Sequence, residues 1–466
     1  MKIIYYNLMF WLLITTFSCS KKENRDNETE NIPEVSNDGH MLLIDGKAFF
    51  WLGDTGWFLF TQSPGDAELY FKNRAEHRFN VIQMMVTRRM FNDSGFSADY
   101  KGDLPFDSFS PVKINESYFA HIDTLVSKAE KYGLLMVMAP TWGWNLDQVF
   151  SKDKPEEVYN WGLMLGKRYK NSRNVIWIVC GEYHKIAWDT EEKKPDSNPD
   201  SLELNLIENL ARGLEDGHQG ANLMTIHPDG WLSSSNHFHH APWLDFNMIQ
   251  SYNIGVGTEF DVLKDYKRIP YKPTILAEPG YENGGAGHTS FDVRYEGYHS
   301  VLNGAFGYTY GCSGVWNFRS DWKELLNCEG TVQMKYLRKL IESRPILNRV
   351  PSPELIKGFS GDWVKRTKLA AAHADDGAYA FIYFPGDTVQ AEIRVSMISG
   401  QKANAWWYNP RDGEVYDLEG EKTNHPFAEF GCNMHQSYVF DPPGERGYGK
   451  DWVLILDDSD KGYGKP

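Results

Sequence analysis

The chain has 466 residues and a formal net charge of −15, with 41% hydrophobic and 24% charged residues. Because nucleic-acid binding depends on basic patches, this acidic balance argues against a nucleic-acid partner. The length allows two or three domains, and the aromatic content of 14% suits either large cores or a groove that stacks on sugar rings.

The N-terminus has the pattern of an export signal. An apolar stretch from Leu8 to Phe17 precedes Ser18 and Cys19, and its length is typical of a signal peptide, not of a membrane-spanning helix. A cysteine at this point resembles the lipidation site of bacterial lipoproteins. We therefore expect a signal in residues 1–19, an acylated Cys19 and a disordered tether in residues 20–38; plain secretion is the alternative.

This signal predicts where the protein is found. We expect an exported bacterial lipoprotein at the outer membrane, the cell surface or the periplasm. The lipid on Cys19 would be its membrane contact, since the tether holds the remaining chain away from the bilayer.

Apolar strands alternate with helices in residues 39–350. The predicted strands, some with their exit loops, are 49–57, 80–86, 133–139, 174–182, 222–226, 246–252, 274–278 and 307–316. The predicted helices begin at Pro64, Glu116, Pro155, Ser201, Glu259, Asp292 and Val332. Strands that are apolar throughout are buried on both faces and therefore parallel. Eight such units predict a (β/α)8 TIM barrel.

The pattern changes in residues 355–460. Short alternating runs at 369–373, 379–383, 391–395, 403–408 and 452–456 are separated by turn sequences such as Asp375-Asp376-Gly377. This period of two predicts an antiparallel β-sandwich as a second domain.

Two of the predicted barrel strands end in a glutamate. Glu182 ends the fourth strand and Glu278 the seventh, and the carboxyl ends of all barrel strands lie on one face. Retaining glycosidases need two carboxyl groups about 5–5.5 Å apart, one as acid and then base, the other as nucleophile. The pattern predicts Glu182 as the acid/base and Glu278 as the nucleophile; a structural ion pair or a helix cap is the alternative for either alone.

Several of these segments resemble a known family. Residues 50–57, 174–177 and 278–282 are similar to the apiosidase-like glycoside hydrolases of family 140, and the resemblance covers about residues 40–350. It implies the same roles for strands four and seven, and release of apiose from pectic side chains. The family pattern has an Asp where this chain has Glu182, which places the acid about 1.5 Å further out.

The second domain also has a resemblance. Asn409-Pro410-Arg411, Pro442-Pro443 and Asp451-Trp452 are similar to the collagen-binding-type domain that usually follows this barrel. We expect this β-sandwich to pack against the barrel.

Eight further residues follow predicted strand ends and are expected to contact the substrate. They are Asp54, Trp57, Arg88, Trp142, His184, His227, Tyr252 and Trp316. Trp142 is a candidate stacking platform, and Tyr252 is placed to donate to the nucleophile, as a strand-six Tyr does in similar barrels. A helix cap is the alternative for Asp54 and a surface salt bridge for Arg88. No metal or cofactor is expected, because adjacent histidines such as those in 237–240 rarely converge on one ion.

These patterns together predict a retaining, exo-acting glycoside hydrolase that removes a sugar from a plant or algal polysaccharide side chain. An endo-acting hydrolase and a non-catalytic surface sugar-binding lipoprotein are the alternatives. Adhesion to matrix proteins is a further reading that depends on the second domain alone.

Overall fold

The computed structural model describes a large part of the chain. The described residues are 33–88, 96–109, 112–143, 146, 150, 154–183, 188–189, 194–195, 201–251, 258–285, 287–360, 368–386 and 390–466. All of them belong to one compact unit that spans Asn31–Pro466.

The first domain is built on a parallel sheet that curls into a barrel. Its strands are β1 (Trp51–Thr55), β2 (Val81–Met85), β3 (Leu135–Ala139), β4 (Val175–Ile178), β5 (Met224–Thr225), β6 (Asn247–Gln250), β7 (Thr274–Glu278) and β8 (Gly307–Tyr310). They run in the order β5-β4-β3-β2-β1-β8-β7-β6, and each neighbouring pair is parallel. Hydrogen bonds from Asp245 N–H to the Met224 carbonyl (2.9 Å) and from the Thr225 hydroxyl to the Phe246 carbonyl (2.7 Å) connect β5 to β6. The predicted TIM-barrel fold is confirmed.

Helices follow the strands and cover the outside of the barrel. They are α1 (Pro64–Glu76), α2 (Glu116–Lys131), α3 (Pro155–Tyr169), α4 (Ser201–His218), the short helix Ser235–Phe238, α5 (Thr258–Tyr266), α6 (Ser290–Leu302) and α7 (Glu329–Glu342). Local sequence explains where they begin: the Ser63 side chain accepts the Asp66 N–H, and Pro64 occupies the first turn of α1. The start of Ser235–Phe238 is the one that the sequence did not predict; the other seven lie within three residues of their predicted positions.

Several short strands lie outside the barrel sheet. The hairpin of Leu42–Ile44 and Lys47–Phe49 is the one that the sequence predicts, from the alternation in residues 41–50 and the turn at Asp45-Gly46; the other short strands were not predicted. Pro33–Val35 pairs with Leu42–Ile44, which pairs with Lys47–Phe49, so the expected tether gives way to ordered sheet before residue 38. Phe106–Phe109 pairs with Val112–Ile114 between β2 and α2, Trp188–Asp189 pairs with Lys194–Pro195, and Leu232–Ser233 lies antiparallel to β6. The unpredicted strands have two to four residues, too few for a period to be recognised in the sequence.

The second domain has two antiparallel sheets, which confirms the predicted sandwich. Its strands are β9 (Arg349–Pro351), β10 (Ile356–Ser360), β11 (Ala370–Ala374), β12 (Tyr379–Phe384), β13 (Gln390–Ile393), β14 (Lys402–Asn409), β15 (Glu414–Tyr416), β16 (Ala428–Gly431), β17 (Tyr438–Phe440) and β18 (Trp452–Asp458). The larger sheet has the order β9-β11-β12-β18-β14-β15, with β16 also paired to β14, and the smaller sheet has the order β10-β13-β17. Because β9 belongs to the larger sheet, residues 349–351 are part of the sandwich.

The larger sheet packs on both faces. Along β12, Tyr379, Phe381 and Tyr383 join the hydrophobic cluster of the barrel. The alternate residues Ala380, Ile382 and Phe384 lie between the two sheets. Because side chains alternate along the strand, one face of β12 packs on the barrel and the other on the smaller sheet.

None of the helices in the described part of the chain is long and apolar enough to cross a membrane.

Candidate active site

Glu182 stands at the end of β4, where the β3 and β4 loops continue the parallel ladder. Gly143 N–H donates to the Gly181 carbonyl at 2.6 Å, and Gly181 N–H donates to the Thr141 carbonyl at 3.1 Å. A Cβ at Gly181 would lie 2.1 Å from the Trp142 ring, so this close approach requires glycine. Glu182 itself has φ +39°, a conformation that costs a non-glycine residue about 1–3 kcal/mol and clusters at functional sites.

The Glu182 carboxyl group is buried and accepts two N–H groups, one from the loop after β3 and one from the end of β6. Trp142 Nε1 donates to Oε2 at 2.8 Å, and Gln250 Nε2, at the end of β6, donates to Oε1 at 3.2 Å. An indole only donates hydrogen bonds. Trp142 therefore orients the carboxyl group without taking a proton from it.

Glu278 ends β7 and is also buried. Its Oε1 accepts hydrogen bonds from the Tyr281 hydroxyl and from Trp57 Nε1, the latter at 3.3 Å. Trp57 Nε1 lies 2.9 Å from the Tyr281 oxygen, so the three groups form one network. Burial, and then the negative charge of Glu278, hold the pKa of Tyr281 well above its usual value, so Tyr281 remains a donor.

The second oxygen of Glu278 has a different environment. His227 Nε2 lies 3.2 Å from Oε2, and among the described residues neither atom has a well-directed hydrogen-bond partner. His227 Nδ1 lies 2.9 Å from the Pro228 carbonyl, and because a carbonyl oxygen only accepts, Nδ1 is the donor in this contact. One oxygen of Glu278 is thus held by donors, while the other lies 3.2 Å from His227 Nε2.

A third carboxyl group, Asp229, lies in the loop after β5. It is fully buried; Oδ1 accepts the Gly230 N–H at 2.7 Å, and Oδ2 has no hydrogen-bond partner among the described residues. Burial, followed by the charges of Glu182 and Glu278, raises the pKa of Asp229 to about 7. The site therefore brings together three carboxyl groups, and the charges of Glu182 and Glu278 disfavour the ionisation of Asp229.

Asp229 should make the stability of the protein depend on pH. Its folded pKa of about 7 exceeds the reference value of 3.8, so its contribution to stability is greatest below pH 4 and falls until pH 7. Asp229→Asn cannot ionise. Relative to wild type, its free energy of unfolding should rise by roughly 2–3 kcal/mol between pH 5 and pH 8. Urea unfolding at the two pH values measures this difference.

A surface variant provides the control for this measurement. Asp107, whose side chain is 47% exposed, lies in the hairpin after β2. Asp107→Asn should follow the wild-type pH dependence. An Asp229→Asn variant that is offset from wild type by the same amount at pH 5 and pH 8 would contradict the assignment.

Two predicted substrate contacts have a different arrangement from the one expected. Trp57 and Trp142 are almost completely buried, with their rings 5.0 Å apart in an edge-to-face contact. They hold the carboxylates of Glu278 and Glu182 through their N–H groups instead of presenting flat faces to a sugar.

Asp54 also differs from its expected role. Its Oδ2 accepts hydrogen bonds from Arg74 Nε and from the Tyr70 hydroxyl, each at 2.5 Å, and the ion pair is fully buried. This contact fastens α1 to β1. The ion pair therefore gives Asp54 a structural role instead of the expected sugar contact. A charged residue at a strand end gives the same sequence signal for either role.

The other predicted residues are distributed around the strand ends. Arg88 lies over the Phe58 ring at 4.3 Å and is near enough to Glu182 to interact with its charge. Trp316 is half-buried, with its ring centroid 6.1 Å from that of Tyr281. His184, Tyr252 and the lipidation candidate Cys19 lie outside the described residues.

Sequence reasoning missed three members of the site. Tyr281, Gln250 and Asp229 each touch or influence the glutamate pair, but none was predicted to do so. Gln250 carried a usable signal, since it is a polar residue at the end of an otherwise apolar strand. The adjacent histidines in residues 237–240 contact other protein groups. His237 contacts the Tyr183 hydroxyl, and His239 contacts the Pro270 carbonyl.

Comparison with known proteins identifies the family. Residues 36–348 match the model of the "Apiosidase-like, catalytic domain". The chain belongs to the apiosidase-like family. Residues 350–457 of this apiosidase-like protein match a second model, the "Putative collagen-binding domain of a collagenase".

Solved structures share this two-domain arrangement. One, described as a glycoside hydrolase, is 29% identical, covers 93% of this chain and 98% of its own, and superposes with a TM-score of 0.77. A glycoside hydrolase family 5 structure from Bacteroides vulgatus is 27% identical, with coverage of 93% and 95% and a TM-score of 0.79. A search of curated proteins gave no match. The apiosidase-like protein is a glycoside hydrolase, and a carbohydrate is its substrate.

Proposed function

We propose that this enzyme hydrolyses its glycosidic bond with retention of configuration, with Glu278 as the nucleophile. The observation that carries the proposal is the unequal treatment of the two Glu278 oxygens. Oε1 accepts hydrogen bonds from Trp57 and Tyr281, which stabilise the carboxylate, while Oε2 has no directed partner among the described residues. Oε2 attacks the anomeric carbon, and the donors on Oε1 keep the carboxylate in position.

Glu182 acts in this proposal as the general acid and then as the general base. Both of its oxygens accept N–H groups, from Trp142 and Gln250. These donors cannot accept the carboxyl proton in return, so that proton is directed to the oxygen of the leaving group. In the second step Glu182 takes a proton from the water that hydrolyses the glycosyl-enzyme.

For the substrate we propose a terminal sugar on a plant or algal polysaccharide side chain, released by exo action. Membership of the apiosidase-like family supports this class of substrate. Trp316, half-buried next to Tyr281, supplies an aromatic face, and Arg88 a positive charge near Glu182. Side-chain oligosaccharides should release a monosaccharide as the first product; a mixture of longer fragments at the earliest times would indicate endo action.

Product stereochemistry tests the retaining mechanism. With an aryl glycoside that the enzyme cleaves, the first anomer seen by proton NMR should have the configuration of the substrate, before mutarotation mixes the anomers. If the first anomer is inverted, a water must fit between the two carboxyl groups and Glu278 is not the nucleophile.

We also propose that Cys19 carries a lipid anchor. The apolar stretch that precedes it is the supporting observation. Cys19→Ala should move the protein from the membrane fraction of the native host to the soluble fraction, measured by immunoblot. Cys432→Ala, a cysteine in the sandwich, is the matched control and should stay with the membranes. A Cys19→Ala protein that remains in the membrane fraction would contradict the anchor.

A further inference from the structure

Two cysteines that belong to no part of the catalytic site lie in direct contact. The Sγ atoms of Cys312 and Cys328 are 3.5 Å apart, and both residues are free thiols. Cys312 follows β8, and Cys328 stands at the N-cap of α7. The residues between them form the exit loop of β8, defined here as 312–328.

This exit loop lies beside the catalytic network. The Glu282 N–H donates to the Gly311 carbonyl at 2.9 Å, and the Ser313 N–H to the Glu282 carbonyl at 2.8 Å, so residues 311–313 continue the sheet next to Tyr281. A Cβ at Gly311 would lie 2.3 Å from the Tyr281 ring. The same loop carries Trp316, whose carbonyl accepts the Phe58 N–H at 3.2 Å.

The end of the loop that leads into α7 is held by Glu282 and Asn283, which follow Tyr281. The Glu282 carboxylate accepts the Gly330 N–H, in the first turn of α7, at 2.9 Å through Oε1 and at 3.1 Å through Oε2, and it also accepts the Tyr310 hydroxyl. Asn283 Nδ2 lies 3.3 Å from the Cys328 sulfur. These contacts hold the two thiols together at a fixed place before any bond forms between them.

We propose that Cys312 and Cys328 are a modification site: they oxidise to an intramolecular disulfide that closes the exit loop of β8. The oxidant is a disulfide, supplied by a small molecule such as oxidised glutathione. The disulfide bond limits movement of the loop that carries Trp316 at the mouth of the site.

The two cysteines have different parts in this exchange. Cys328 is only half-buried whereas Cys312 is buried, so Cys328 meets the oxidant. A hydrogen bond from the Cys312 thiol lowers the pKa of Cys328, which favours its thiolate. The Cys328 thiolate attacks one sulfur of oxidised glutathione and releases one glutathione. Cys312 then loses its proton, attacks the Cys328 sulfur and releases the second glutathione. Two thiols are oxidised, and one disulfide is reduced.

Peptide mapping tests the proposal on the folded, full-length protein. The protein is incubated with oxidised glutathione, acidified, denatured, alkylated and digested with trypsin. Arg319 and Lys323 lie between the two cysteines, so they fall in separate peptides unless a disulfide connects them. We expect a connected pair that disappears on treatment with dithiothreitol, while Cys180 and Cys432 are alkylated. Alkyl groups or separate glutathione adducts on Cys312 and Cys328 would overturn the proposal.

Thermal unfolding tests whether the disulfide fastens the loop. The oxidised protein should unfold at least about 3 °C above the reduced protein. Cys328→Ser should abolish this difference between the redox states, and Cys432→Ser, the matched control, should keep it. A connected pair without any change in Tm would overturn the fastening role.

Discussion

Glu278→Gln should lower kcat/KM by at least about 10^4-fold on every substrate, because an amide cannot form the covalent glycosyl-enzyme. The amide still fits the network around Oε1, where Trp57 and Tyr281 contact the wild-type carboxylate. The loss should therefore appear in the rate and not in folding. Kinetics with aryl glycosides, together with an unchanged circular dichroism spectrum, measure both.

Glu182→Gln should behave differently because its role depends on the leaving group. An activated aryl leaving group departs without protonation, so the first step survives while hydrolysis of the intermediate loses its base. The glycosyl-enzyme should accumulate and give a burst of released phenol, with an adduct visible by intact mass. Glu76→Gln on α1, 61% exposed, is the matched control and should retain wild-type rates.

Azide separates the two assignments further. Azide needs no general base, so it should restore turnover of Glu182→Ala and give a glycosyl azide with retained configuration. In Glu278→Gly it should enter through the vacated nucleophile position and give the inverted azide. The reverse pattern of configurations would exchange the two roles, and the absence of a burst in Glu182→Gln would contradict the base role.

Asp451→Ala should destabilise the whole protein by about 3–5 kcal/mol, since it leaves the buried Arg294 without its counter-charge. Asp451, in the sandwich, accepts Arg294 Nη2 at 2.7 Å, Arg294 Nε at 3.0 Å and the Tyr383 hydroxyl at 2.9 Å. Arg294 belongs to α6 of the barrel, and both side chains are almost fully buried. Urea unfolding should show the loss as a lower midpoint with one transition for both domains.

Two comparisons make this result interpretable. Glu429→Ala breaks a surface pair with Lys402, whose side chains are 45% and 60% exposed, and should change stability by less than about 1 kcal/mol. Replacing Arg294 and Asp451 together by Met and Leu should recover much of the loss, because no charge is then left buried alone. A soluble, fully active fragment of residues 39–350 would contradict a stabilising role for the sandwich.

A second buried pair supports the same expectation. Arg344, just after α7, donates from Nε and Nη2 to the two oxygens of Asp457 at 2.9 and 2.7 Å. With Phe381 and Tyr383 packed into the barrel cluster, the larger sheet of the sandwich acts as an outer layer of the barrel. Removal of the sandwich would expose this apolar face to water.

Local signals were sufficient for the barrel and for the position of the glutamates. Thr274–Glu278 is buried at every residue, and a run of this length that stops at Pro279-Gly280 can be recognised as a strand without any other part of the chain. Because all strands of a parallel barrel end on one face, the positions of Glu182 and Glu278 at strand ends followed from the count of units.

The partners of those glutamates were decided by tertiary structure alone. Trp57 and Tyr281 are 224 residues apart in sequence, and Gln250 is 68 residues from Glu182. Hydrophobic periodicity reports which residues are buried, but it does not report which neighbour a polar side chain faces once the sheet closes. For that reason Trp57, Trp142 and Asp54 were predicted to contact a sugar. Closure of the barrel instead turns the two tryptophans towards carboxylates and pairs Asp54 with Arg74.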